Sequence, residues 1–112
     1  MGGLGGGGRR APRCLRSWLQ QLRRCAADGE IHFTWKAYRE LCELGLADSE
    51  ALAILATLTA ADYVGRVVSP PHGEHLLVFK PTVDGIPLYV KIALRRECMV
   101  VSFHEAETKR SR

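Results

Sequence analysis

The stretch His75-Leu-Leu-Val-Phe-Lys-Pro-Thr-Val83, Asp84-Gly85, Ile86-Pro-Leu-Tyr-Val-Lys-Ile-Ala-Leu94, Arg95-Arg96-Glu97, Cys98-Met-Val-Val-Ser-Phe-His-Glu105 decides the fold. It is three short apolar runs separated by two turns. Asp-Gly between alternating apolar runs is the strongest short-range hairpin signal, and Arg96-Glu97 offers a second turn. The expected form is a three-stranded antiparallel meander. Such a sheet keeps its charges at edges or on its wet face, yet Tyr89, Lys91 and His104 lie inside the runs.

Working outward, a chain of 112 residues has room for one domain and one core. With 46% hydrophobic residues it can bury a modest core and fold alone. No apolar run approaches the ~20 residues needed to cross a bilayer. The Gly-rich start, Met1 to Arg10, lacks the apolar stretch of a secretory signal and the Ser or Thr of a myristoylation motif. A cytoplasmic protein without membrane contact is expected. Cys14, Cys25, Cys42 and Cys98 form no C-x-x-C pair, so free and mostly buried thiols are expected rather than a zinc site. The net charge of +4 invites nucleic acid. However, Arg9, Arg10, Arg13, Lys109, Arg110 and Arg112 lie at the two ends. Without them ten basic residues face 12 acidic ones, so the folded part is not itself basic.

Residues 1–12 carry no periodic pattern and read as a disordered tail, 13–106 as the single domain, and 107–112 as a basic tail. Leu15, Trp18, Leu19, Leu22, Cys25 and Ala26 recur at helical spacing up to Asp28-Gly29. Ile31–Phe33 reads as a short extended link. Thr34 is the expected N-cap of a second helix with Tyr38, Leu41 and Cys42 inward and Gly45 as its stop. Asp48 or Ser49 would cap a third helix carrying Leu52, Leu55 and Leu58. Thr59-Ala-Ala-Asp-Tyr reads as a capped turn, and Val67-Val68 leads into a loop that Pro70 and Pro71 hold non-helical. Helices first and strands second predict an α+β domain, the helices packed on one face of the C-terminal antiparallel sheet, of three strands or slightly more.

Alternate residues of a strand share a face. If Val90 and Phe103 face the helices, Tyr89, Lys91, Ser102 and His104 project from the opposite face, with Val101 alongside Phe103. Lys80 lies at the end of the first run. Each of these residues also has an ordinary explanation: a solvated or edge-protecting Lys, a packing Tyr, a capping His. Their grouping on one face is what suggests phosphate chemistry. His72 and His75 share a loop, but no further ligands complete a metal site.

Leu58-Thr-Ala-Ala-Asp-Tyr, Val78-Phe-Lys-Pro, Gly85 followed by Leu88-Tyr-Val-Lys-Ile, and Val100-Val-Ser-Phe-His resemble, in order and spacing, the MqsR family of toxins. The similarity spans roughly residues 15–105 and is sharpest from 55 onward. It implies a RelE-like α+β fold, messenger-RNA cleavage without metal or other cofactor, and a cognate antitoxin. DNA contact is implied only through the toxin–antitoxin complex. The family's active-site Tyr falls on Tyr89, and its C-terminal Lys falls on His104, as in a Ser-Phe-His branch. The family's other Lys lands on Gly65, with Arg66 beside it. Its Gln lands on Leu76, with His75 adjacent.

Metal-free RNA cleavage needs a base for the 2′-OH proton, an acid for the departing 5′-oxygen, and cations for charge on phosphorus. Histidine titrates near neutrality and can serve as acid or base, which lysine does only when strongly perturbed. The expected assignment is His104 as acid/base, Tyr89 and Lys91 as its catalytic partners, and Lys80, Arg66 and His75 as RNA or phosphate contacts. Two other readings stay open: a catalytically weakened interaction module that lost the positions at Gly65 and Leu76, and a nucleic-acid-binding regulator acting through the basic tails.

Overall fold

A computed structural model describes residues 14–69 and 73–106. Helix α1 (Leu15–Asp28) presents Leu15, Leu19, Leu22 and Cys25 to the core, and Gly29 ends it in the left-handed region. Strand β1 (Ile31–Phe33) leads to α2 (Trp35–Leu44), α3 (Asp48–Ala56) and a 3-10 turn (Ala60–Asp62). Strands β2 (Tyr63–Ser69), β3 (Glu74–Phe79), β4 (Thr82–Val83), β5 (Ile86–Leu94) and β6 (Cys98–Glu105) complete the domain. No helix of the described residues is long and apolar enough to cross a membrane.

The sheet order is β1-β6-β5-β3-β2, with β4 beside β5. Every pairing is antiparallel except β1 with β6. The architecture is the expected α+β arrangement, with more strands than the meander. Ile31–Phe33 is a parallel edge strand rather than a link. Val67 and Val68, expected to lead into a loop, belong to strand β2 (Tyr63–Ser69). The first apolar run breaks at Lys80-Pro81, where proline cannot donate to the ladder, and Lys80 N–H turns to the Asp62 carbonyl at 2.7 Å. Asp84 and Gly85 both take positive φ (52° and 81°), the geometry of a two-residue type I′ hairpin.

All helices cover one sheet face. Leu77, Phe79, Leu88, Val90, Ile92, Val100 and Phe103 of that face meet Leu15, Leu19, Leu22, Ala37, Leu41, Ala51, Leu55 and Leu58 in one core. A bulge lies within β6: Ile92 pairs with Val100 and Lys91 with Ser102, so Val101 is the extra residue. Val100 therefore joins Phe103 on the core side, and both are fully buried. The expected pairing of Val101 with Phe103 on one face does not hold.

Helix α2 runs along β6 beyond the end of β1. Thr34 Oγ1 accepts from Ala37 N–H at 3.1 Å, the expected N-cap, and donates to the Val101 carbonyl at 3.4 Å. Ala37 and Leu41 are its buried positions, while Tyr38 and Cys42 are exposed. The small Ala37 lets the helix lie close to β6, and this turns Tyr38 and Cys42 outward. Helix α3 is capped differently from expectation: the N-cap is Ala47, and the Glu50 carboxylate accepts from Ala47 N–H at 2.8 Å. Cys25 and Cys98 are buried but Cys14 and Cys42 are exposed, so only half of the thiols are inside. Burial, together with the neighbouring Cys25 thiol, pushes the Cys98 thiol far up and leaves it unreactive. Thr34→Ala should cost ~1 kcal/mol, read as a lowered urea midpoint with unchanged slope.

Candidate active site

The sheet face turned away from the helices carries the polar group of the strand runs. Tyr89 of β5 pairs with His104 of β6, and their rings stack at 5.1 Å between centroids and 13° between planes. Directly beside them Lys91 pairs with Ser102. The Lys91 and Lys80 ammonium groups stand 5.7 and 5.9 Å from the Tyr89 ring centroid. Tyr89 is thus flanked by two lysines and one histidine, each held by a different strand or strand end. Cations over a phenol face are attracted by its quadrupole, at up to ~1 kcal/mol each when exposed.

His104 Nδ1 lies 2.9 Å from the Glu105 carbonyl oxygen. A carbonyl oxygen only accepts, so Nδ1 carries the hydrogen. In the neutral ring this places the lone pair on Nε2, the tautomer of a general base.

The sequence reading missed two residues of this site. Lys36 of α2 reaches across to Ser102, Nζ to Oγ at 3.0 Å, and to Glu40 Oε2, also at 3.0 Å. The other Glu40 oxygen accepts the Phe103 N–H at 2.8 Å. This N–H belongs to the part of the β6 edge that extends past β1, and an unpaired edge donor needs such an acceptor. Ser102, expected on an open surface, is instead buried at 3% exposure. In sequence, Lys36 and Glu40 look like an ordinary helical i,i+4 pair, which is why nothing marked them.

Burial pushes the Glu40 carboxyl up, but the Phe103 N–H, the Lys36 ammonium and the charge of a protonated His104 outweigh it and hold it below 4.5. The folded chain thus binds this proton less readily than the unfolded one. The stabilisation is complete above about pH 4.5 and is lost as pH falls below it. Urea midpoints at about pH 6 and about pH 3.5 should show a shallower acid loss for Glu40→Gln than for the unchanged protein.

Arg66 and His75 are not brought to this face. Arg66 pairs with Leu77, a core-side residue, and His75 precedes Leu77 by two positions, so both point to the helix side. There the Arg66 guanidinium lies 5.9 Å over the Trp18 ring. Gly65 and Leu76 do lie on the site face: Gly65 pairs with Val78, which pairs with Lys91, and Leu76 is two residues before Val78. Gly65 has φ of 154° beside the register irregularity of β2, a conformation that L residues rarely adopt. Among the described residues no three His, Cys, Asp or Glu groups converge to hold a metal; His72 lies outside the described residues.

Fold and face together define a small α+β protein with a cation-rich, histidine-bearing sheet surface. Residues 16–105 match the family model described as motility quorum-sensing regulator, toxin of MqsA, and the chain belongs to that toxin family. Membership in a family of toxins of an antitoxin implies an antitoxin partner. No curated protein sequence matches the chain significantly.

Proposed function

We propose that the chain is the toxin of a toxin–antitoxin pair and acts as a metal-independent endoribonuclease on messenger RNA. The observation that carries this reading is the stacked Tyr89–His104 pair with Nε2 of His104 left as the basic nitrogen, flanked by Lys80 and Lys91. In the proposed reaction Nε2 takes the 2′-OH proton and the 2′-oxygen attacks phosphorus. The bond to the 5′-oxygen breaks, and the imidazolium returns its proton to that oxygen. Lys91 and Lys80 hold the negative charge that builds on the phosphoryl oxygens. Tyr89 keeps the imidazole plane fixed and offers a hydroxyl donor or a stacking surface for a base.

The test is incubation of purified protein, free of antitoxin, with a single-stranded RNA in the presence of EDTA. Cleavage should leave 2′,3′-cyclic phosphate and 5′-hydroxyl ends, and an all-2′-deoxy oligonucleotide should stay intact. RNA left uncut would instead favour the second reading, an interaction module in which Gly65 and the 5%-exposed Leu76 mark lost catalytic positions. Under either reading the antitoxin is the expected protein partner, and contact with DNA would come through that complex. The basic tails, on which a separate regulatory reading rested, lie outside the described residues.

A further inference from the structure

Lys36 is held in a way that a solvated helix pair does not require. Exposed i,i+4 pairs on a helix contribute little and lie along their own helix. Here the ammonium leaves α2 and reaches the sheet at Ser102, 66 positions away in sequence. Its carboxylate partner is committed elsewhere, because one Glu40 oxygen holds the Phe103 N–H. Glu40 is therefore fixed by the strand edge, and through it Lys36 is fixed over the sheet. The Lys36 side chain is nonetheless 60% exposed, whereas Glu40 is 17% exposed, so the cation is the member of the pair that faces outward.

Position matters as much as exposure. Ser102 is the cross-strand partner of Lys91 and lies two residues before His104 on the same face. With neighbouring strands ~4.8 Å apart, Lys36 enters at the β6 rim of the row Gly65–Val78–Lys91–Ser102. The opposite end of that row is Gly65, which offers no cation. Lys80 and Lys91 stand over the Tyr89 ring that stacks on His104, Lys36 holds Ser102 two residues before His104, and only Lys36 comes from a helix.

We infer that Lys36, anchored by Glu40 over Ser102, is a phosphate-contacting residue of this face and binds the RNA backbone on the β6 side of His104. The inference rests on the reading of the face as an RNA site. Glu40 is the positioning residue of the pair: it orients the ammonium and does not touch substrate.

The experiment measures binding of a fluorescent single-stranded RNA, 2′-O-methylated so that it cannot be cut, across a salt series. Each phosphate contact on a single strand contributes about 0.7 to the slope of log affinity against log salt. Lys36→Gln should lower the slope by that amount and weaken binding roughly fourfold near physiological salt. Lys36→Arg should restore both. Thermal unfolding of Lys36→Gln should stay close to that of the unchanged protein, which separates a lost contact from a lost fold. An unchanged slope in Lys36→Gln beside a reduced slope in Lys91→Gln would overturn the role of Lys36 and leave the RNA site standing. No binding by the unchanged protein would overturn the RNA reading and this inference with it.

Discussion

A His104→Ala protein is expected to cleave RNA about 10²–10⁴-fold more slowly than the unchanged chain, the usual contribution of a positioned acid–base group. The substitution removes the imidazole that stacks on Tyr89 and leaves the core beneath it intact, because Val90 and Phe103, not His104, face the helices. In a bacterial host the unchanged chain should arrest growth and the variant should not. Equal arrest by both would remove His104 from the mechanism. Tyr89→Phe keeps the stacked ring and loses only the hydroxyl, so its loss should be smaller. A Tyr89→Phe loss as deep as that of His104→Ala would make the phenol a proton donor rather than a plane for the imidazole.

Phe103→Ala should cost ~3–5 kcal/mol, a large share of the stability of a domain this size. Phe103 is fully buried, pairs with Val90 at the centre of the sheet, and gives its N–H to Glu40. The substitution opens a cavity beneath the Tyr89–His104 face and loosens the strand that carries His104. The check is a urea titration read with circular dichroism, in which the midpoint should fall steeply. A loss below ~1 kcal/mol would mean that the sheet and helices close over the gap.

The parts of the fold governed by local chemistry were legible in the residues. Asp84-Gly85 specified its hairpin, Thr34 its cap, and Gly29 and Gly45 their helix ends. The parts that depend on distant partners were not. Ile31–Phe33 is a strand only because β6 lies beside it, and three residues carry no readable alternation. In β2, Gly65 and the consecutive Val67-Val68 hide the period. The same register explains Arg66: next to a residue that faces the site, it must face the helices. Strand parity correctly grouped Tyr89 and Lys91 with Ser102 and His104, given that Val90 and Phe103 face inward. It missed that Ser102 would be covered, because the covering side chain belongs to a helix far away in sequence. Lys36 and Glu40 gave no signal beyond a surface pair.

The extra residue at Val101 makes this strand tolerant of length at one point and intolerant just beyond it. A chain lacking Val101 could pair Val100 with Ile92 and Ser102 with Lys91 in an unbroken ladder, and the Tyr89–His104 stack would survive. A residue gained or lost between Ser102 and His104 has no such slack: it would carry the imidazole through the sheet to the apolar side. Homologous strands can therefore differ by one residue at position 101 and still present the same face, and a gap there in a comparison of sequences would not signal a different site.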